Sequence, residues 1–266
     1  MSPQLLAGKK GLVFGVLNDR SIAWGISSNL AAAGATLGFT HLPDEKFARR
    51  CRNTVETLDP KPVFVEPCDV SKDEDLARVF AKWKEVHGTL DFLVHSVAFA
   101  PAAALHEPFL QTKRDDFKTA LDISCYSLIA MCREAFPLMN PGATVIAMTY
   151  LGSIAYIPKY NVMAVAKAAL ECTVRYLAAE MGGGRTEGAK KVRVNAISAG
   201  PIPTMAAKGV GEIDRMLDHY PEKNCLGRNV DQEEVGRTAL YLCSELSSGV
   251  TGEVIYVDAG YRVVGW

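Results

Sequence analysis

The chain lacks a run of about 18 apolar residues, the least that a membrane-crossing helix needs, so no membrane partner is expected. It also lacks a dominant charge. Its 29 Lys and Arg face 30 Asp and Glu, a formal net charge of −1, which removes any broad attraction to nucleic acid or anionic lipid. The seven cysteines (Cys51, Cys68, Cys125, Cys132, Cys172, Cys225 and Cys243) are odd in number, scattered and without a C-x-x-C pair. The five histidines show no metal-ligand spacing. No disulfide framework and no metal are expected; the pattern suits thiols in a reducing cytoplasm. The opening MSPQLLAGKK has no basic stretch followed by an apolar one, so no secretory signal is expected either. No repeat, low-complexity tract or Pro/Gly/Ser-rich linker divides the 266 residues, which points to one domain over 1–266. Hydrophobic residues at 48% and charged residues at 22% exclude disorder.

What is present is a rhythm. Short runs rich in Val, Ile, Leu and Phe occur at 11–16, 35–40, 62–66, 90–97, 143–149, 192–198 and 253–258. Their hydrophobicity is continuous rather than alternating, as in strands covered on both faces of a parallel sheet. Longer amphipathic stretches at 21–33, 44–58, 72–87, 113–138, 158–181 and 231–245 read as helices between them. Gly34 stands where the first helix needs a C-terminal cap, and Ser71 precedes the third with Glu74 at capping-box distance. The stretch GGGRTEGAKK (182–191) reads as an exposed loop with solvated charges. The alternation defines an α/β fold: a single doubly wound Rossmann-type domain of about seven parallel strands with helices on both faces.

In such sheets a ligand sits beyond the carboxyl ends of the strands, and the first strand–helix turn holds a pyrophosphate. Here that turn, FGVLNDRSIAWGI (14–26), is not a G-x-G-x-x-G fingerprint. Gly15 and Gly25 permit a tight turn and close packing, while Ser21 and the Ile22 amide offer donors to phosphate. A tight structural turn with no ligand fits the same residues. Asp69, at the end of the third strand, suits either an adenine amino group or a helix cap. In VHSVAFAP (94–101) small residues let backbone approach a ribose and nicotinamide, or simply lead a strand into a loop. After the second strand come His41, Leu42 and Pro43, with no cation before Lys46, which favours NADH over NADPH.

The stretch TYLGSIAYIPKYNVMAVAKAAL (149–170) carries the chemistry. Pro158 suits a first helical turn. Tyr160 and Lys167 then fall on one face, about 10 Å apart along the axis. A nearby lysine can lower a phenol's pKa and bind ribose hydroxyls; a surface lysine and an interfacial tyrosine fit the spacing too. Tyr150 adds a second phenol at a strand's carboxyl end.

With these residues the chain resembles the short-chain dehydrogenase/reductases, and within them the bacterial and plastid enoyl-acyl-carrier-protein reductases. The general superfamily has Tyr-x3-Lys, where this sequence has Met163; the enoyl reductases have an upstream tyrosine and Tyr-x6-Lys, matched by Tyr150, Tyr160 and Lys167. Further matches are the Ser21-Ile22 turn, Ser96–Pro101, LDISCYS (121–127), NAISAGPIPT (195–204) and VTGEVIYVDAGY (250–261), so the likeness spans nearly the whole chain. The resemblance implies that Gly15, Ser21, Ile22, Asp69, Val70 and Val97 contact NADH, with Leu42 near the adenosine ribose. It implies that Lys167 holds the nicotinamide ribose and that Ile202, Pro203, Thr204, Met205 and Ala206 cover pyrophosphate and nicotinamide. They would open a lid over 202–220, and the Ala100 backbone would touch substrate.

The implied reaction is hydride transfer to C3 of a trans-2-enoyl thioester, with Tyr160 stabilising the enolate and Tyr150 assisting. The thioester would be carried on acyl carrier protein, by a homotetramer, in fatty acid elongation. The lid reads as an amphipathic helix with Ile213, Met216 and Leu217 on one face. Lys208 and Arg215 are offset there by Glu212, Asp214 and Asp218, a mixture that weakens steering of an acidic carrier and leaves enoyl-CoA as an alternative. Ketone or alcohol chemistry is a second alternative. Met163, and Ser124 where ketoreductase relatives have Asn, weigh against it. A non-catalytic dinucleotide-binding protein is a third, against which both Tyr160 and Lys167 are present.

Overall fold

A computed structural model describes residues 4–184, 189–210 and 213–265, with the side chains at 206, 208 and 210 outside that description. Seven strands form one sheet: β1 (Lys10–Phe14), β2 (Thr36–His41), β3 (Val65–Pro67), β4 (Leu90–His95), β5 (Met139–Thr149), β6 (Arg193–Ala199) and β7 (Val254–Val257). Their order is β3-β2-β1-β4-β5-β6-β7, and every pairing is parallel. The helices are α1 (Ile22–Ala32), α2 (Glu45–Val55), α3 (Asp73–His87), α4 (Ala102–His106), α5 (Arg114–Leu121), α6 (Ser127–Ala135), α7 (Asn161–Gly182), α8 (Met205–Val210), α9 (Ile213–His219) and α10 (Gln232–Cys243).

The continuous apolar runs have the predicted cause. Successive residues of one strand enter opposite cores: Leu12 and Phe14 meet α3, α6 and α7, while Val13 meets α1, α2 and α10. The same split separates Val145 and Ala147 from Ile146 and Met148 in β5. A sheet buried on both sides exposes backbone only at its two edges and at the strand ends. The carboxyl ends therefore hold the polar groups available for chemistry.

Several local expectations change. No side chain caps α3; its N-cap is Lys72, and Ser71 instead donates to Asp69 at 2.7 Å. Three acids in the first turn, Asp73, Glu74 and Asp75, oppose the helix dipole in place of a capping box. The box occurs at α10, where Asp231 accepts from the Glu234 amide and Glu234 from the Asp231 amide. Pro158 lies outside α7, whose N-cap is Tyr160, because Lys159 adopts a left-handed φ of 62° that interrupts any earlier turn. The expected 113–138 helix is divided by a π-helical turn at Asp122–Tyr126. α4 was not foreseen. In the 182–191 loop the lysines are not merely solvated: Lys190 donates to the Phe136 and Pro137 carbonyls and Lys191 to that of Gly184. Arg185 and Glu187 lie outside the described residues.

α1 and α10 meet through glycines. A Cβ on Gly25 would run into the Gln232 carbonyl, and one on Gly236 into the carbonyl oxygen of Gly25. Asn29 and Gln232 add bonds to Glu233 and to the Asp19 carbonyl. The start of α1 is thereby fixed against the last long helix. Gly236→Ala forces backbone apart and is expected to cost about 1–3 kcal/mol, read as a lower midpoint in urea unfolding.

Candidate active site

At the sheet's carboxyl edge, Gly15 follows β1 with φ 105°, and a side chain there would strike the Ser96 carbonyl beyond β4. The turn thus brings bare backbone together where a ligand's phosphates would approach. Ser21 is the N-cap of α1 but makes no side-chain cap. Its hydroxyl accepts from the Leu17 and Asn18 amides, both at 3.1 Å, so it shapes the loop and leaves the first amides of α1 uncapped. An uncapped helix start is a natural anion site, and the residues present fit a dinucleotide.

Asp69 is more engaged than expected. One carboxylate oxygen accepts from the Ser71 amide and hydroxyl, and Lys72 faces the other at 3.9 Å. It is a turn residue in this structure, with its amide donating to Asp75. Val70 and Val97 are half-buried against the core beneath α3, α6 and α7. Leu42 is exposed, its carbonyl bonded to His41 Nδ1. Beyond β6, Ile202 is buried, Thr204 caps α8 by accepting from the Ala207 amide, and Pro203 and Met205 are exposed. The side chain of Ala206 lies outside the described residues. α8 packs against α4, the short helix absent from the expected elements. The 202–220 segment carries two helices, α8 and α9, with Ile213 buried and Met216 and Leu217 half-buried, opposite exposed Asp214 and Asp218. Glu212 and the side chain of Lys208 lie outside the described residues.

The catalytic candidates come together. Tyr160, Ala100, Met163, Ala104 and Leu105 share one apolar cluster, with Tyr150 against it. The Tyr150 and Tyr160 rings meet edge to face, 5.0 Å between centroids. Lys167 is buried and donates to the Met148 carbonyl at 2.8 Å, tying α7 to the end of β5. Burial lowers its pKa to about 8, with Cys125 and Glu171 opposing that fall. The expected lowering of the phenol by lysine is not found. Burial, and then the proximity of Tyr150 and Glu171, push Tyr160 well above the usual phenol range. A dry phenol beside an anion keeps its proton and acts as a hydrogen-bond donor.

Three further residues complete the setting, of which the sequence singles out only Ser124. Ser124, in the π-helical turn, donates to the Phe99 carbonyl and accepts from the Phe99 amide, each at 3.0 Å, and so pins the loop that carries Ala100. Tyr220 stacks on Tyr261 and donates to the Asp258 carbonyl. Glu171 is buried and accepts from Thr149 at 2.7 Å. A signal for it existed: an acid four residues beyond Lys167, in an otherwise apolar stretch.

A seven-stranded parallel sheet with a glycine turn after β1 and a buried Tyr–Lys pair at the carboxyl ends is the arrangement of a dinucleotide-dependent short-chain dehydrogenase/reductase. The sequence profile described as "Enoyl-(Acyl carrier protein) reductase" matches residues 15–262. The chain is 49% identical over 262 residues to the NADH-dependent enoyl-acyl-carrier-protein reductase FabI of a Nostoc species, covering 98% of each. The enoyl-acyl-carrier-protein reductase of Bacillus cereus, solved with NADP+ and indole naphthyridinone, is 46% identical at a TM-score of 0.93, over 98% of this chain and 99% of that one. The enzyme of Anaplasma phagocytophilum, solved with NAD, is 40% identical at a TM-score of 0.91, over 100% of this chain and 96% of that one. The chain belongs to the enoyl-acyl-carrier-protein reductase family.

The protonation states can be checked directly. A solvated phenol ionises at about pH 10, whereas three of the nine tyrosines, Tyr150, Tyr160 and Tyr220, keep their protons through that range. Because the unfolded chain releases these three protons earlier, stability should fall as pH rises above ~10. Tyrosinate absorbance followed to about pH 11 tests this, and Tyr160→Phe should leave the early part of the curve unchanged.

Proposed function

We propose that this protein reduces the trans-2 double bond of enoyl thioesters with NADH, the reductive step of fatty acid elongation. The observation that carries the reading is the Tyr160 phenol, protonated and buried in one cluster with Ala100, with Lys167 buried on the same helix and bonded to β5. Family membership over the full chain supports it.

NADH, when bound, supplies the hydride that adds to C3 of the enoyl group. Gly15, Ser21 and Ile22 would hold its pyrophosphate, Asp69 and Val70 its adenine, and Val97 and Lys167 its nicotinamide end. Ile202, Pro203, Thr204, Met205 and Ala206 would close over it. As electron density moves to the thioester oxygen, the Tyr160 hydroxyl donates to it. Burial makes that donor strong, since no water competes for the oxyanion. C2 then takes a proton, from the Tyr160 hydroxyl or from water relayed to it, and Tyr150, edge-on to Tyr160, shapes the site. The Lys167 ammonium donates to the Met148 carbonyl and would donate to the ribose hydroxyls of the bound cofactor. The first charge after Leu42 and Pro43 is the Asp44 carboxylate, which caps α2. An anion there disfavours a 2′-phosphate and supports NADH over NADPH.

Ketone reduction fits less well. Met163 is a thioether in the apolar cluster, and the Ser124 hydroxyl is spent on both polar groups of Phe99. No proton relay is left at either position. We further infer a single domain over 1–266 with its lid at 202–220, acting as a cytoplasmic homotetramer. Exposed Tyr126 and Ile129 of the α5–α6 segment, exposed Tyr176 of α7 and the free edge of β7 would form the contacts. Among the described residues no helix is long and apolar enough to cross a membrane. Acyl carrier protein is the expected carrier, with enoyl-CoA the alternative that the mixed charge of α9 keeps open.

The test is loss of NADH absorbance with crotonyl-CoA and with a carrier-linked enoyl substrate, each also run with NADPH. Tyr160→Phe should lower kcat by about 10²–10³-fold, and Lys167→Ala should weaken NADH binding. Full activity of Tyr160→Phe on every enoyl substrate would remove the oxyanion donor from the reaction.

A further inference from the structure

Glu171 is an acidic side chain at 6% exposure, and the steps of the reaction leave it without a role. It lies one turn beyond Lys167 on α7 and accepts from the Thr149 hydroxyl at 2.7 Å. Lys167 donates to the carbonyl of Met148, the residue next to Thr149. Two neighbouring residues at the end of β5 are thus fastened to two residues one helical turn apart, immediately before Tyr150. A carboxylate at this depth is costly unless paired and hydrogen-bonded. Thr149 provides the hydrogen bond, and Lys167 stands one helical turn away on α7.

We propose that Glu171 is a positioning residue of the reaction: one turn from Lys167, it sets a counter-charge beside that ammonium, and through Thr149 it holds the end of β5 from which Tyr150 projects. The proposal rests on the reading of Lys167 as the group that holds the nicotinamide ribose.

The surroundings leave this role to Glu171. From the π-helical turn, Cys125 faces Lys167 as a thiol pushed up by burial, hence uncharged. His95, at the end of β4, is held neutral by burial and then by Lys167, its pKa lowered to about 3. Glu171 in turn is faced by Tyr160 and by Tyr256 of β7, both raised by burial. Arg262 stacks over the Tyr256 ring, 4.0 Å from its centroid, and Asp258 acts on the same phenol. Removing the carboxylate takes away a contribution that raises Lys167, so the ammonium should lose its proton at lower pH.

Two isosteric changes separate charge from geometry. Glu171→Gln keeps an acceptor for Thr149 and deletes the charge; Thr149→Val deletes the bond and keeps the charge. Two readouts are needed: kcat/KM for NADH against pH, and the titration of Lys167 Cε by ¹³C NMR of lysine-labelled protein, assigned with Lys167→Arg. For Glu171→Gln the Lys167 titration and the alkaline limb should both move down by about one pH unit. For Thr149→Val the limb should stay in place while kcat falls at every pH. An unmoved Lys167 titration in Glu171→Gln overturns the counter-charge, and an unchanged kcat in Thr149→Val overturns the positioning of β5. Wild-type protein that reduces no enoyl thioester refutes the function just proposed, whereas the NMR titration still decides the coupling of Glu171 to Lys167.

Discussion

Desolvation of Lys167 is the constraint on which the rest of the site depends. An ammonium between α7 and β5 must find acceptors inside the protein, and the Met148 carbonyl supplies one. That carbonyl belongs to the last-but-one residue of β5, just before the chain reaches Tyr150. The helix is therefore held at one height against the strand, and Tyr160 at its N-cap is held with it. Gly15 and the uncapped start of α1 lie at the same edge for the same reason. In a sheet buried on both faces, unpaired backbone collects at the strand ends.

Burial also decides the direction of the chemistry. In this dry cluster the loss of solvation, with Tyr150 and Glu171 adding to it, leaves the phenol holding its proton. A neutral donor suits an oxyanion that exists only during reaction, because its dipole is already oriented when the charge arrives.

The sheet was largely legible in the sequence, since short, continuous apolar runs between amphipathic stretches suit strands covered on both faces and little else. β1, β2, β4, β6 and β7 fall within two residues of expectation, and β5 begins earlier, at Met139. The local signals were weaker. A serine and glutamate three apart suggested a cap at Ser71, but Asp69 lies closer to that hydroxyl and takes it. Pro158 suggested a helix start that the left-handed Lys159 postpones. Within the site, Tyr150, Tyr160 and Lys167 stood out because their spacing is local. Ser124 with Phe99, and Thr149 with Glu171, were illegible because each bond joins segments that meet only when the strand order is known.

The contact between α1 and α10 has a consequence for how the protein is made. Gln232 reaches back 213 residues to the Asp19 carbonyl, and Gly236 meets Gly25. The turn after β1, proposed to hold the cofactor's pyrophosphate, is encoded at the beginning of the chain but braced from near its end. During synthesis a ribosome has to translate almost the whole message before that brace exists. Premature termination before α10 would therefore yield polypeptides that carry every candidate catalytic residue yet lack the support for the turn after β1.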